Sequence, residues 1–580
     1  MKKLQVTYLA LMLGFAPTVL AQTLSEEIVI ERNIEPVERA VIRPSWVMPT
    51  ILNPRVKNVK LSFNEYYNTA EITRSVAPLQ PIAWADSVMR TPYKGYVSLG
   101  YFPAYNLDVG AGYRFVNTPK LSAGAHIGFQ GSSWGGQEGT EGKNSRNELH
   151  LGADLTARFS PGSLAADFNY IWSGSGMAYF ADRYHRGNQS INIADISLKW
   201  QPSSVGKIGW NIDFGFNYGG FTSEKTDNFA VFNGLQTIPM EFKPAKDLNF
   251  KLGSDLSYKL GETSWVDLGV GLKFRHTNSL SVSETVTIPE TENVGAVYKE
   301  YGDHTLGIIT LAPAYRFVSK NITGHLGIQV DFNTGGLQKD THFAPNIDIE
   351  WSPASIFAVS LKATGGEVMN TNASLWERDP WMTGVRGFER SNVNADIQLG
   401  LTLGSIKGFW ATLGGGWSST SNWLTPVVLE GVNTWQKRNG FSGFNYGLEL
   451  GYAWRDIVTV TAHAQGATHA RYYRWQDNAR WNFDIAAKVR PIQKLQVEAG
   501  YSTRLDRQGF VLLPVVDGSF NDIKVSLGNT SNLFVGAQYE ITKAFSAFIK
   551  AENLLNRHWS LTTNVRSPGI HGLLGVQYLF

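Results

Sequence analysis

The chain of 580 residues contains no cysteine, and its 52 basic and 49 acidic residues give a formal net charge of +3. The lack of cysteine excludes thiol catalysis and cysteine-ligated zinc, and the small net charge gives no reason to expect a nucleic-acid partner. Aromatic residues and glycine are abundant, with 18 Trp, 23 Tyr, 31 Phe and 58 Gly, although only 43% of the residues are hydrophobic.

The first 21 residues have the pattern of a secretory signal peptide. Lys2 and Lys3 form a charged start, residues 8–16 form an apolar run, and residues 19–21 fit a small-residue cleavage site. A transmembrane anchor is the alternative, but the apolar run is shorter than the ~20 residues that a membrane-spanning helix needs. We therefore expect residues 1–21 to be removed during export.

Residues 22–94 carry a pattern that disfavours a compact domain. Pro36, Pro44, Pro49 and Pro54 are spread through the first half of this segment. Proline fixes its own backbone and disfavours helix at the residue before it. The spacing therefore predicts an extended N-terminal segment, which lies in the periplasm or inside a barrel lumen.

From about residue 95 onward, apolar and polar residues alternate in one segment after another. In residues 266–275, the even positions are all apolar, whereas the odd positions are Asp, Gly, Gly, Lys and Arg. Residues 149–159, 248–260 and 480–490 have the same period of two. Charge on one face and apolar side chains on the other predict β-strands with one face toward water and one toward lipid.

The connections between these segments alternate between short and long. Tight turns are predicted at places such as Pro161-Gly162 and Arg455-Asp456. Long polar loops are predicted at 131–144, 176–188, 221–245, 278–302, 369–390, 420–440, 506–528 and 557–569. Short periplasmic turns and long extracellular loops are typical of outer-membrane barrels, so we expect the long loops outside the cell.

This spacing predicts an all-β fold, a transmembrane antiparallel β-barrel of 22 strands over residues 95–580. The strands are expected at 95–103, 105–116, 120–131, 145–159, 163–175, 189–201, 206–220, 246–260, 263–277, 303–318, 321–335, 343–352, 355–368, 391–404, 406–420, 441–455, 456–469, 477–490, 492–505, 529–541, 543–556 and 570–580. The last strand is expected to pair with the first, because no open sheet edge can face lipid. A soluble propeller or adhesin is the alternative, but propellers do not alternate short and long connections systematically.

The C-terminal residues resemble those of TonB-dependent receptors. The segment AENLLNRHWSL at 551–561 is similar to the Glu-Asn-Leu-aromatic-Asn segment of that family. The segment SPGIHGLLGVQYLF at 567–580 is similar to its Pro-Gly-Arg segment followed by the closing strand, although Ile570 stands where the family usually has Arg.

The same terminus resembles the signal that the barrel-assembly machinery reads. Gly575, Tyr578 and Phe580 fit that signal, whereas Leu573 occupies its usual polar position. The resemblance implies that these residues direct insertion of the barrel.

The N-terminal segment departs from the receptor family, because residues 22–94 are too few for the family's plug domain. The resemblance therefore implies a receptor without a plug or with a much shortened one. The stretch SEEIVIERN at residues 25–33 resembles a TonB box. Its centre would add a strand to TonB through backbone hydrogen bonds, and comprises Glu27, Ile28, Val29, Ile30 and Glu31. A plain extended segment is the alternative.

Two loop stretches combine aromatic and basic residues. The candidate contact residues are Trp376, Arg378, Trp381 and Arg386 in the first stretch, and Arg471, Tyr472, Arg474 and Trp475 in the second. One interpretation is that they capture a ligand or glycan by stacking, or contact a protein. The other is an outer aromatic girdle with basic contacts to lipopolysaccharide phosphates.

No catalytic or cofactor motif is present in the sequence: the 11 histidines are scattered, and none forms an HExxH pattern. We expect uptake or transport across the outer membrane of a Gram-negative bacterium, with TonB or another envelope protein as a partner and no cofactor. The alternative is a structural or assembly component of an envelope complex. A barrel of this size would leak if it were empty, so residues 22–94, inward-folded loops or a partner should fill it.

Overall fold

The computed structural model describes residues 93–102, 106–159, 162–178, 188–202, 206–222, 226–230, 237–240, 245–278, 304–335, 340–381, 390–429, 432–455, 457–468, 479–514, 520–563 and 565–580. The predicted signal peptide, the proline-containing segment and the TonB-box-like residues Glu27–Glu31 lie outside the described residues. The same holds for Arg386 and for residues 471–475.

The described elements, in chain order, are strands and one helix. They are β1 (Gly95–Phe102), β2 (Asn106–Asn117), β3 (Leu121–Gly135), β4 (Lys143–Phe159), β5 (Gly162–Gly176), β6 (Gln189–Pro202), β7 (Ile208–Thr222), β8 (Thr226–Ala230), β9 (Thr237–Met240), β10 (Lys246–Lys259), β11 (Ser264–Asn278), β12 (His304–Val318), β13 (Ile322–Gly335), β14 (Thr341–Ala354), β15 (Phe357–Met369), α1 (Asn372–Arg378), β16 (Arg390–Ile406), β17 (Phe409–Leu429), β18 (Val432–Trp454), β19 (Val458–Ala467), β20 (Trp481–Ile492), β21 (Leu495–Leu505), β22 (Gln508–Pro514), β23 (Phe520–Ser526), β24 (Asn532–Thr542), β25 (Phe545–Glu552), β26 (Ser560–Thr562), β27 (Val565–Arg566) and β28 (His571–Leu579).

Within these ranges, 22 strands form one closed antiparallel barrel, and β8, β9, β22, β23, β26 and β27 lie outside its wall. Each barrel strand pairs with the next one along the chain. Each also overlaps one strand predicted from the alternation, so the predicted fold class and the predicted strand number are confirmed. The described helical residues include no stretch that is both long and apolar enough to cross a bilayer.

The barrel closes where β28 pairs with β1, in antiparallel register from Tyr96 opposite Leu579 to Tyr101 opposite Leu574. At the end of this seam, the Gly95 amide donates to the Phe580 carbonyl over 2.8 Å, and the Phe580 amide donates to the Gly95 carbonyl over 2.9 Å. The predicted pairing of the last strand with the first is confirmed.

Successive side chains of each strand lie on opposite faces of the wall. On β11, Leu272 and Phe274 are exposed on the outer face, whereas Lys273 and Arg275 are buried on the inner face. Successive side chains of a strand point to opposite faces, so the apolar set forms an outer surface suited to hydrocarbon and the polar set lines the lumen.

The predicted loop over 420–440 is wrong. Residues 409–429 and 432–454 form one long hairpin, paired from Phe409 opposite Tyr452 to Leu429 opposite Val432. The segment beyond residue 421 is mostly β-branched and apolar. Trp423 and Val427 are buried there, so the strand continues beyond the predicted barrel edge.

Two hairpins meet at the end of the barrel that carries the long loops. β22 pairs in parallel with the end of β17, with Val428 opposite Val511. Val427, Phe510 and Leu512 form a small buried apolar cluster between them. The predicted loop at 506–528 therefore contains an ordered hairpin that packs on its neighbour.

Candidate functional site

The connection between β15 and β16 folds into the barrel instead of standing above it. Its described part, residues 370–381, is called the inward loop below. Five consecutive helix residues, Asn372–Trp376, are all buried. A surface helix would bury only one face, so the first five residues of α1 are enclosed by protein on all sides, whereas Glu377 in its last turn is exposed.

Local sequence explains why this loop contains a short helix. Thr371 is the N-cap: its hydroxyl accepts from the Ser374 amide over 3.0 Å, and the Ser374 hydroxyl accepts from the Thr371 amide over 2.9 Å. This reciprocal pair satisfies two donors of the first turn. The helix ends before Asp379, which precedes Pro380 and has an extended backbone, as expected for a residue before proline.

The inward loop follows the inner wall of the barrel. It leaves the wall at β15, the thirteenth barrel strand, and reaches Trp134 on β3, the third strand. Between these ends it contacts β10, β7, β6 and β5 in turn. The ring centroids of Trp134 and Trp381 lie 6.3 Å apart, with the rings edge to face. The described loop therefore lines about half of the mouth along one side of the barrel.

The start of the helix contacts a buried ion pair on the wall. Asp247 on β10 and Arg275 on β11 are joined at 3.1 Å, and both side chains are almost fully buried. The Asp247 oxygen in this ion pair also accepts a hydrogen bond from the Asn372 amide over 2.7 Å. The Asn372 side chain also donates to the Gly219 carbonyl over 3.3 Å. A carboxylate at a helix N-terminus is electrostatically favourable, so the wall offers a prepared acceptor for α1.

Trp376 supplies the apolar part of the docking. Its ring meets Phe221 edge to face at 5.7 Å between centroids. The surrounding buried cluster consists of Ile191, Ile193, Phe221, Ala245, Ala373 and Trp376. Burial of a tryptophan among aliphatic side chains contributes several kilocalories per mole, on the order of 3–5 kcal/mol by truncation.

The far end of the inward loop is held by hydrogen bonds to its carbonyls. Ser175 on β5 donates to the Pro380 carbonyl over 2.5 Å, and Asn433 on β18 donates to the Trp381 carbonyl over 3.4 Å. Asp379 accepts from the Trp381 amide over 2.9 Å. Complete burial raises the pKa of the Asp379 carboxyl to about 7.

The stem of the inward loop is braced by a polar network on the inner wall. Arg390, the first residue of β16, lies 3.4 Å from a Glu367 oxygen and also contacts Asp340. Asn333 donates to the same Glu367 oxygen over 2.5 Å, and the Glu367 amide donates to Asp331 over 2.8 Å. The two strands that carry the loop are therefore fixed to each other and to β13.

A cavity of about 610 Å³ lies beside the end of the inward loop, between it and the seam side of the wall. Its lining includes four aromatic side chains, Phe102, Trp134, Trp381 and Trp559, and four basic ones, Arg146, Arg504, Arg507 and His571. The described lining contains no carboxylate.

Hydrogen bonds hold the cavity arginines in place. Arg146 bonds to Glu148 at 2.8 Å, Arg504 to Asp484 at 2.8 Å, and Arg507 to the Ser560 carbonyl at 2.8 Å. Each of these acceptors lies behind the lining, so the arginines are oriented before any ligand arrives. Aromatic faces and fixed guanidinium groups are suited to a planar anion.

The structure separates the residues that sequence reasoning had grouped together. Trp376 and Trp381 are 3% and 4% exposed and belong to the inward loop. The Arg378 guanidinium lies over the ring of Trp423, 5.2 Å from its centroid. Their ligand and lipopolysaccharide roles stay predictions, as do those of Arg386, Arg471, Tyr472, Arg474 and Trp475, which lie outside the described residues.

The three candidate assembly residues lie together on the closing strand. Tyr578 and Phe580 are half exposed on the outer face, with their rings stacked at 6.1 Å. Gly575 has no room for a side chain, because a Cβ there would lie 2.2 Å from the Phe548 ring and 2.6 Å from the Leu99 carbonyl oxygen. Recognition of these residues by the assembly machinery stays a prediction.

Sequence reasoning missed the partners of the inward loop. Asp247 and Arg275 carry opposite charge on the inner faces of neighbouring strands, at the end nearest the long loops. That pattern could have indicated a polar site there. Nothing in the sequence indicated that residues 372–376 would reach it, because more than a hundred residues separate Asn372 from Asp247.

Comparisons with known proteins show which solved structures share the fold. No family model matches the sequence, and no curated protein matches it significantly. Among solved structures, the siderophore receptor PirA from Acinetobacter baumannii is similar with a TM-score of 0.61 at 8% identity, over 85% of this chain and 81% of that one. The FrpB iron transporter from Neisseria meningitidis has a TM-score of 0.62 at 10% identity, over 85% and 82%.

The ferripyoverdine receptor of the outer membrane of Pseudomonas aeruginosa has a TM-score of 0.58 at 11% identity, over 84% of this chain and 72% of that one. At such identities the likeness is one of fold. The receptor-like barrel that the C-terminal residues predicted is confirmed at that level. In the described ranges, no group of three or more His, Asp or Glu side chains is placed to hold a metal ion.

Proposed function

We propose that the protein is a transport barrel of the Gram-negative outer membrane, which captures a small organic anion at its mouth and takes it up through the lumen. The observation that carries this proposal is the cavity at the long-loop end, which has Trp381 of the inward loop in its wall. The fold of the solved siderophore and iron receptors supports a transport role. The apolar outer face supports a place in a bilayer.

The lining of the cavity supports an anionic ligand with a planar group. Three arginines and a histidine face it without a carboxylate, while Trp134, Trp381 and Trp559 offer ring surfaces. Guanidinium groups bind carboxylate or sulfonate oxygens through paired N–H groups, and indole rings stack on flat ligands. The guanidinium groups favour an anionic ligand over a cationic one at this site.

Binding can be tested with a planar disulfonate. Protein in nanodiscs would be titrated with naphthalene-2,6-disulfonate and with uncharged 2,6-naphthalenedimethanol, while tryptophan fluorescence is recorded. We expect saturable quenching by the disulfonate only. Arg504→Gln should weaken its binding about tenfold, since it removes a charge-assisted contact.

The matched control is Arg316→Gln, at the opposite end of the lumen, where Arg316 bonds to Asp267 at 2.7 Å. That variant should bind the disulfonate as the wild type does. Equal binding of the charged and uncharged compounds, or an unaltered affinity in Arg504→Gln, would contradict the proposed ligand class.

Residues 27–31 supply the proposed link to an energy source. An extended segment of acidic and apolar residues can add a strand to TonB's sheet through backbone hydrogen bonds. Ile28→Pro removes one donor and fixes one φ angle, so it should abolish TonB capture in a pull-down while the barrel stays folded. Ile28→Val is the matched control. A barrel that co-purifies with envelope components but neither binds the anion nor captures TonB would favour the scaffold alternative.

A further inference from the structure

We propose that the inward loop is a gate: docked on the wall, it narrows the barrel mouth, and it must leave the wall before a large solute can pass. The loop lines the mouth from β15 to β3, and its helix is seated on β7 and β10. The gate itself does not depend on the ligand. Its coupling to the cavity through Trp381 rests on the proposed function.

The contacts of the loop divide into a fixed stem and a releasable end. The stem is continuous with the barrel strands and is braced by Arg390, Glu367 and Asn333. The remainder is held by Trp376, by single hydrogen bonds at Asn372, and by bonds to the carbonyls of Pro380 and Trp381. These contacts can break together without disturbing a strand pair of the wall.

Three features make the docked state releasable. A helix of seven residues is not stable alone in water, so α1 persists only while it is docked. The indole N–H groups of Trp376 and Trp381 are buried and have no hydrogen-bond partner in the described part of the chain. Each would regain water on release, which offsets part of the lost packing. Asp379 would likewise regain solvent for its carboxyl.

Ligand binding in the cavity would act on the inward loop through one residue. Trp381 is both the last described residue of the inward loop and part of the cavity wall. A ligand that stacks on this ring would compete with its edge-to-face contact to Trp134. A ligand that binds the undocked arrangement better than the docked one would therefore shift the loop toward release.

The gate can be tested by opening it and then locking it. Trp376→Ala removes the apolar anchor and should shift the docking equilibrium on the order of 100-fold toward the undocked state. In planar bilayers in KCl, Trp376→Ala should conduct more than the wild type, in which the docked loop narrows the mouth. Replacing residues 371–380 by a short Gly-Ser linker should conduct permanently.

The lock uses a place where the loop meets the wall. A Cβ built at Gly219 lies 3.1 Å from the Cβ of Asn372, slightly closer than in a disulfide, and 2.8 Å from an Asp247 oxygen, so the loop and the Asp247 side chain must shift by a few tenths of an ångström for the bond to form. The chain has no native cysteine. Adding Gly219→Cys and Asn372→Cys to Trp376→Ala should restore the closed state under oxidation, and a reductant should reopen it. The matched control pair is Gly209→Cys with Ser257→Cys, whose Cβ positions are 3.6 Å apart on neighbouring strands. That pair should leave Trp376→Ala open in both redox states.

Heat-modifiable migration would confirm that each variant forms a barrel. The proposal would be overturned if the variants with an altered loop conducted no more than the wild type. Something other than this loop would then restrict the lumen. A lock that forms but does not reduce conduction would overturn it as well. Both results are independent of disulfonate binding, so failure of the gate and failure of the ligand proposal can be told apart.

Discussion

The seam between β1 and β28 closes the barrel wall, and the inward loop lines one side of its mouth, but different interactions hold the two regions in place. The seam is a ladder of backbone hydrogen bonds between strands of eight and nine residues. The inward loop depends on particular side chains, such as Asp247, Trp376 and Asn433, contributed by distant parts of the chain.

This difference predicts different sensitivities. Seam residues that point into lipid should tolerate apolar exchange, since the ladder does not depend on which apolar side chain is present. The seam should fail only where a substitution pushes the backbones apart. The inward loop should tolerate little change at its few anchors, and its loss should leave the wall intact.

The largest effect is expected at Asp247, the wall anchor of the inward loop. Asp247→Ala leaves the Arg275 charge buried without its carboxylate and removes the acceptor of the Asn372 amide, at a cost of about 3–5 kcal/mol. A single cysteine at Ala373, which is buried when the loop is docked, should then react rapidly with a maleimide. Asp255→Ala, on the same strand near the other end of the lumen, is the control and should leave the labelling slow. Slow labelling in both would refute the anchor role.

A smaller effect is expected at the seam. Gly575→Ala places a Cβ 2.6 Å from the Leu99 carbonyl oxygen, so the strands must separate locally at a cost of about 1–3 kcal/mol. The amount of heat-modifiable barrel should fall, while labelling at Ala373→Cys in the folded fraction stays slow. Gly536→Ala is the control, because its Cβ would meet only ordinary contacts at 3.6 Å and beyond. Equal barrel yields for the two variants would show that this glycine is not required.

Docking of the inward loop should weaken as pH rises. Burial raises the pKa of Asp379 to about 7 in the docked loop, whereas the released carboxyl has an ordinary pKa. Between these values the released loop loses a proton that the docked loop keeps, so higher pH favours release, and above the docked pKa the effect levels off. Labelling at Ala373→Cys, corrected for maleimide reactivity, should rise on the order of 100-fold between pH 5 and pH 8. Asp379→Asn should remove this dependence; if it persists, Asp379 is not its origin.

The smallest effect is expected at the N-cap of α1. Thr371→Ala removes the acceptor for the Ser374 amide and should cost about 1 kcal/mol, or roughly fivefold in labelling rate. Thr371→Ser keeps a hydroxyl and should label as the wild type does. Indistinguishable rates for the Ala and Ser variants would mean that the cap contributes nothing to docking.

The sequence was sufficient to predict the strands of the barrel wall but not the contacts of the inward loop at the mouth. The alternation at 266–275 determines which face of β11 meets lipid, because a strand side chain can only point one way or the other. Trp376 is different, since its partners Ile191 and Phe221 lie on strands far away in the chain. No local pattern encodes that contact. The predicted loop at 420–440 was wrong for the same reason: packing of Trp423 and Val427 against other elements keeps the segment extended.

The most direct test of the account asks whether residues 370–381 are docked on the inner wall of the mouth in the native membrane. Gly219→Cys with Asn372→Cys would be compared with Gly209→Cys with Ser257→Cys in isolated outer membranes, and disulfide formation would be scored by thiol mass tagging. We predict that both pairs form a disulfide with similar yield, because the first joins the docked loop to the wall and the second joins two paired strands. A Gly209–Ser257 pair that forms a disulfide while the Gly219–Asn372 pair keeps free thiols would contradict the docked loop.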